Sequence, residues 1–290
     1  VDGITWNNVN PPDIFDGQPC RDICWDGKQF IAVGTLSPGF KSYYVSADGI
    51  NWGIGYSSST FIPFDNLNLV KYVNERPNHV EIPGTITLGL ASDNNALWYK
   101  DNVSTTITMV LPFLDNILCA AFNGHIWVVG GVNGVIFAYK TENLYGINWA
   151  FGGTTTINSM TSVYWTGSRF VAGGADQNEN NIIVYSDDGI CWVLSETTPD
   201  TALTSITGDE TMLVGIGQLS IYYSQNNGVT WTKAVTPPEL NVIIEDVCWS
   251  GEKFVAVGNG GMIMLSNDGE NWNIESSGTS ITLSGVSTNK

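Results

Sequence analysis

A cassette that recurs along almost the whole chain constrains this sequence more than any other feature. Its clearest copy reads Ile244-Glu-Asp-Val-Cys-Trp249, Ser-Gly, Glu252-Lys-Phe-Val-Ala-Val-Gly258, Asn-Gly-Gly, Met262-Ile-Met-Leu-Ser266, Asn-Asp-Gly269 and Glu-Asn-Trp272. Near the N-terminus, Arg21-Asp-Ile-Cys-Trp25, Lys28-Gln-Phe-Ile-Ala-Val-Gly34, Tyr43-Tyr-Val-Ser46, Ala-Asp-Gly49 and Ile-Asn-Trp52 repeat it. A third copy runs from Thr161 to Trp192, and a fourth ends in Ser224-Gln-Asn-Asn-Gly-Val-Thr-Trp231. A looser copy covers residues 117–149. The most eroded, around 67–107, keeps Ala96-Leu-Trp-Tyr-Lys100 but lacks the closing Trp.

Each copy holds four segments of strand length separated by Gly, Asn or Asp. Asp-Gly, Thr-Gly or Ser-Gly joins the first two, as suits a tight hairpin with positive φ. The second segment is apolar throughout, as expected of a strand covered on both faces. In Ser-x-Asp-Gly, between the third and fourth segments, the carboxylate can accept backbone hydrogen bonds of its own turn while Gly takes the left-handed conformation. The closing Trp then covers the turn and packs between units. Units of about 40 to 50 residues with four strands each predict an all-β fold, a β-propeller of four-stranded antiparallel blades. The 32 glycines agree.

Fourth segments fall at Trp6, Trp52, about Ile107, Trp149, Trp192, Trp231 and Trp272. This gives six full units, approximately 7–52, 53–110, 111–152, 153–195, 196–235 and 236–276, within a single domain, 1–290. Terminal strands 1–6 and 279–290, with Ser280-Ile-Thr-Leu-Ser-Gly-Val286 as a lone first strand, would close the ring and remove an exposed edge. Six blades is the expectation, and seven is the alternative. The chain opens on Val1 without an apolar leader run, which predicts a trimmed or processed start.

The motifs Ser46-Ala-Asp48-Gly49-Ile-Asn-Trp52, Ser186-Asp-Asp188-Gly189-Ile-Cys-Trp192, Ser224-Gln-Asn226-Asn-Gly228-Val-Thr-Trp231 and Ser266-Asn-Asp268-Gly269-Glu-Asn-Trp272 resemble Asp-box (BNR) repeats. These occur in propellers such as sialidases, sortilin-type receptors and secreted or virus-encoded proteins. Three of the four copies are one residue shorter before Gly than the standard box. The resemblance implies structural roles for these residues, and an extracellular or virion-surface setting. It also implies a test for sialidase chemistry, which needs an arginine triad, a Tyr nucleophile with a Glu partner, and an acid/base Asp. Only Arg21, Arg76 and Arg169 are present, and Arg169 shares the repeat position of Lys28, which reads as a solvated strand start. The sialidase catalytic motifs are missing.

Other chemistries find little support. Lys plus Arg number 11 against 28 Asp plus Glu, a net charge of −17, so no basic stripe exists for nucleic acid. Any partner is expected to be neutral or cationic. No apolar run of about 18 residues could cross a bilayer, so no membrane insertion is expected. Two His and five Cys without a CxxC pair argue against a metal, and no cofactor motif appears. Cys24 and Cys248, at one repeat position, read as packed thiols rather than a disulfide. Trp25, Trp165 and Trp249, at the end of first segments, read as packing between blades. Asp48, Asp188 and Asp268 read as turn formers, so no catalytic residue is assigned. A glycoside hydrolase or lyase using carboxylates at a central depression is the alternative.

Loop length gives the best functional hint. Connections 7–19, 35–41, 53–66 and 175–180 are long and emerge on the face opposite the tight turns. They carry Phe15, Phe40, Tyr56, Phe61 and Phe64, candidates for contact with a protein or glycan partner. The sequence therefore reads as a non-enzymatic binding or structural module.

Overall fold

The computed structural model describes residues 20–25, 28–34, 43–54, 67–73, 86–91, 96–101, 108–112, 117–123, 126–132, 136–140, 150–151, 157–209, 211–238 and 240–288. Their strands form six antiparallel four-stranded sheets. The first contains β1 (Cys20–Trp25), β2 (Phe30–Gly34), β3 (Tyr43–Ser46) and β4 (Gly53–Ile54). The second contains β5 (Leu67–Val73), β6 (Ile86–Ala91), β7 (Ala96–Asp101) and β8 (Thr108–Pro112). The third contains β9 (Ile117–Phe122), β10 (Ile126–Gly131), β11 (Ile136–Lys140) and β12 (Ala150–Phe151). The fourth contains β13 (Ser159–Trp165), β14 (Phe170–Ala175), β15 (Asn181–Ser186) and β16 (Val193–Leu194). The fifth contains β17 (Ser205–Gly208), β18 (Leu213–Ile216), β19 (Ile221–Ser224) and β20 (Thr232–Lys233). The sixth contains β21 (Ile244–Trp249), β22 (Phe254–Gly258), β23 (Ile263–Ser266) and β24 (Asn273–Glu275). Each sheet is a meander in chain order, as the cassette predicts.

The chain forms two compact units, residues 1–8 with 118–286 and residues 9–117 with 287–290. In the second, β1 and β2 pack against β5. In the first, β10 packs on β13, β13 on β17 and β17 on β21, so consecutive sheets stand face to face. Both faces of each middle sheet are then covered, which is why the second strands are apolar throughout. Phe254, Ala256, Met264 and Trp272 meet Val214, Ile216 and Ile221 of the preceding sheet. Val171 and Ile183 meet Leu203, Ile206, Leu213, Tyr222 and Trp231 of the following one. At about 1.5–3 kcal/mol for each fully buried large aliphatic or aromatic side chain, these interfaces are the main source of cohesion.

First strands carry a feature that the repeat does not announce. Their pairing slips between Cys20 and Asp22, Leu67 and Leu69, Met160 and Ser162, and Ile244 and Asp246. A bulge re-aims the residue after it. Ser162 donates its hydroxyl to the Leu203 carbonyl (2.8 Å), and Asp246 accepts from the Ser205 hydroxyl (2.8 Å), both across sheet boundaries.

The expectation of a final strand over 280–286 is corrected. The segment is irregular. The Leu283 N–H donates to the Gly258 carbonyl and the Val286 N–H to Asp246 Oδ2, at 3.1 and 2.9 Å. Leu283 and Val286 lie on the sheet face formed by Val255, Val257, Ile263 and Leu265. Among the described residues no second strand runs beside the segment to form a ladder; these two N–H bonds and the packing of Leu283 and Val286 hold it.

Candidate binding face

The tight turns come first, because they decide what the acidic side chains can do. Asp48 Oδ1 accepts the N–H groups of Ile50 (2.8 Å) and Asn51 (2.7 Å), and its Oδ2 accepts the Asn51 side-chain amide (2.8 Å). Asp188 Oδ1 accepts the N–H groups of Ile190 and Cys191 at 2.8 and 2.7 Å. Asp268 Oδ1 does the same for Glu270 and Asn271 at 3.0 and 2.8 Å. The buried hydroxyls of Ser46, Ser186 and Ser266 each donate to the Asp two residues on, at 3.0 Å. In the longer fourth turn, neutral Asn226 accepts from the Ser224 hydroxyl and the Thr230 N–H, while Asn227 takes a φ of 55°.

These bonds set the ionisation of the turns. The backbone N–H and side chain of Asn51, with the Ile50 N–H, hold the Asp48 carboxyl well below the usual range. At Asp268 the Asn271 N–H leads, against some burial, and the carboxyl falls to about 2. Burial pushes Asp188 up, but the Cys191 and Ile190 N–H groups outweigh it. Carboxylates so engaged are fixed acceptors, and a general acid needs a raised pKa instead.

Arg169 departs from its sequence reading. Its side chain is only 23% exposed, with Nε 3.0 Å from Asp187 Oδ1 and the guanidinium 4.6 Å from the centre of the Tyr185 ring. Val171 pairs with Tyr185, which sets that ring beside the start of β14. A guanidinium stacks on such a face in preference to standing in water. Arg21 is exposed on β1, and Arg76 lies outside the described residues. Trp25, Trp165 and Trp249 pack at 4.6–4.7 Å on Phe30, Phe170 and Phe254, their hairpin partners on the second strand. Trp165 and Trp249 also pack on clusters that span adjacent sheets.

All five cysteines are free. Burial, with the charge of a neighbouring Asp, pushes the Cys20 and Cys248 thiols up to about 12. Among the described residues no three His, Cys, Asp or Glu side chains converge as a metal set.

The five aromatics singled out in the long loops, Phe15, Phe40, Tyr56, Phe61 and Phe64, lie outside the described residues. The same class of connection is described in the fifth and sixth sheets, where it makes a continuous surface. The Ile244 N–H donates to the Gln218 carbonyl (3.0 Å) and the Asn259 N–H to the Ile243 carbonyl (2.9 Å). Thr279 passes so close to Gly261 that a Cβ there would lie 2.0 Å from its carbonyl oxygen. From this joined surface Leu219 stands 53% exposed, Ile243 39% and Ile281 70%. Aromatic content points elsewhere, because none of the segments that carry these three aliphatic residues, 217–220, 234–243 and 276–288, holds an aromatic side chain. The only available signal was Leu219 at the tip of a turn otherwise made of Gly217, Gln218 and Ser220.

Beside this surface, Asp200 accepts the Tyr222 hydroxyl and pairs with Lys233 Nζ at 2.7 Å. The trio ties the connection 195–204 to β19 and β20.

No protein-family model matches the chain, and no curated protein matches it in sequence. Its fold is nonetheless shared with solved structures. A chain in the crystal structure of the mitotic checkpoint complex superposes with a TM-score of 0.65 at 13% identity, covering 99% of this chain and 87% of that one. A chain in the crystal structure of a nidogen/laminin complex gives 0.52 at 8% identity, covering 70% and 80%. Both are β-propellers, and with six antiparallel four-stranded sheets this chain is one too. Among the described residues no helix is long and apolar enough to cross a membrane.

Proposed function

We propose that the chain is a non-enzymatic binding propeller of the Asp-box type. In this reading it is a single domain of six blades, with the segments 1–6 and 279–290 closing the ring. It presents the loop face to a protein or glycan partner in an extracellular or virion-surface setting. The carrying observation is the exposed trio Leu219, Ile243 and Ile281 on one hydrogen-bonded surface. Exposed aliphatics grouped on rigid, mutually bonded loops suit a contact surface rather than a solvated one. The two similar solved chains, each within a complex named for its assembly, agree with a binding role. The acidic chain favours a neutral or cationic partner.

The test is a glycan-array screen with and without calcium, followed by a pull-down if the array is blank. Any partner found is then titrated against a Leu219→Ser/Ile243→Ser/Ile281→Ser variant. Binding falls at least about tenfold while the melting temperature holds, as expected for removed anchors. Unchanged binding by the folded triple variant sinks the assignment of this face. Hydrolysis of a polysaccharide panel, abolished by one acidic substitution, would replace the reading with an enzymatic one.

A further inference from the structure

Two Asn-Gly pairs, Asn227-Gly228 and Asn259-Gly260, are described at both residues, and their surroundings differ. Such a pair is chemically labile, because glycine places no side chain in the way of its own nitrogen. The Gly nitrogen attacks Cγ of the Asn side chain, an N–Cγ bond forms and the Cγ–Nδ2 bond breaks. Ammonia leaves with the proton from the attacking nitrogen. Water then opens the cyclic imide at either carbonyl, giving Asp or isoaspartate. No oxidant or enzyme is needed.

At Asn227 both reactants are held. The Gly228 N–H donates to the buried Ser224 hydroxyl at 2.9 Å, and Asn227 Nδ2 donates to Ser168 Oγ at 3.3 Å. Gly228 also lies against Val171, where even a Cβ would come within 2.8 Å, so the turn has little room to move. At Asn259 the backbone is anchored on both sides, its N–H on the Ile243 carbonyl (2.9 Å) and its carbonyl accepting from the Met262 N–H (3.2 Å). Yet among the described residues the Gly260 N–H and the Asn259 side chain make no hydrogen bond. Gly260 is exposed at φ 67°, and nothing lies within 4 Å of where its Cβ would be.

We propose that Asn259 is a site of imide-mediated deamidation in the folded chain, and that Ser224 and Ser168 protect Asn227 from the same reaction. The product carries a new carboxylate, and in the isoaspartate form an extra backbone methylene, directly beside Ile243.

The test is peptide mapping by mass spectrometry of the intact protein, aged at mildly alkaline pH and body temperature, with enzymatic isoaspartate labelling. Asn259 converts roughly tenfold faster than Asn227, about what one hydrogen bond to the reacting amide is worth. In concentrated urea the two rates converge, because only the fold separates them. Equal rates in the native protein, an unmodified Asn259, or the same disparity in urea would each overturn the proposal.

Discussion

Ser205 donates its hydroxyl to Oδ1 of Asp246 across the boundary between the fifth and sixth sheets, at 2.8 Å. The same carboxylate accepts the Val247 N–H (2.9 Å) and, on its other oxygen, the Val286 N–H (2.9 Å). One side chain thus joins a neighbouring sheet, its own strand and the docked segment 280–286. Asp246→Ala strands three donors and is expected to cost about 2–4 kcal/mol, with Asp246→Asn costing roughly half, since hydrogen bonds to charged groups are the stronger kind. Urea denaturation reads the cost. Hydrogen exchange at Leu283 and Val286 should quicken in the Ala variant, and a wild-type midpoint would refute the role.

Acid sensitivity follows from the turn aspartates. Their folded pKa values lie below the unfolded value of about 3.9, with Asp268 at about 2. A depressed folded pKa gives stability that is present above the unfolded pKa and lost as pH falls through the folded one. Melting temperature should therefore decline between about pH 4 and about pH 2. An Asp48→Asn/Asp188→Asn/Asp268→Asn variant keeps the acceptors, as Asn226 does naturally, and should flatten that decline. An unchanged slope would show that the acid lability comes from elsewhere.

The closing tryptophans are not equivalent. Trp52, Trp231 and Trp272 donate their indole N–H to the carbonyls of Gly49, Gly228 and Gly269 at 3.0–3.1 Å. Among the described residues, Trp192 Nε1 is buried with no partner. Trp→Phe at 231 or 272 loses ring area and a hydrogen bond, whereas at 192 it also relieves an unsatisfied donor. Trp192→Phe should be milder by about 1–2 kcal/mol, read from denaturation midpoints of the three variants. Equal losses would mean that Trp192 finds a bond in solution.

Glycine offers a matched pair. Gly167 and Gly269 both have positive φ, 93° and 67°, but nothing lies near a Cβ at Gly167. At Gly269 a Cβ would sit 2.4 Å from Met212 Sδ and 2.9 Å from Val214 Cγ2 of the preceding sheet. Gly167→Ala should cost about 1 kcal/mol for the conformation alone. Gly269→Ala adds overpacking of about 1–3 kcal/mol. Thermal unfolding distinguishes them, and equal costs would mean the turn shifts freely off its neighbour.

The strands and hairpins were legible because the same short-range chemistry recurs in register. Phe170 and Phe254 follow hairpin dipeptides, and Ser186 and Ser266 precede Asp-Gly, so each copy corroborates the others. The bulges at Thr161 and Glu245 were not legible. They answer to neighbours about 40 residues away, Leu203 for Ser162 and Ser205 for Asp246, and no local pattern encodes those partners. Arg169 was misread for a related reason, since its position in the cassette says nothing about the aromatic ring opposite. On the loop face, the connections that carry Leu219 and Ile243 are joined by the Ile244–Gln218 bond, between residues more than twenty positions apart.

The turn contacts run in one direction along the chain. The Glu196 N–H donates to the Val229 carbonyl and the Trp231 N–H to Thr197 Oγ1, and Val235 meets Glu270 and Trp272 in the same way. What leaves one sheet is fastened by the turn of the next. During synthesis, then, each of these sheets is sealed only when its successor has emerged and folded, and the newest is always the unfinished one. A ribosome stalled within the sixth sheet would leave the fifth with an unfastened outer end, the point at which a protease or a chaperone would find it.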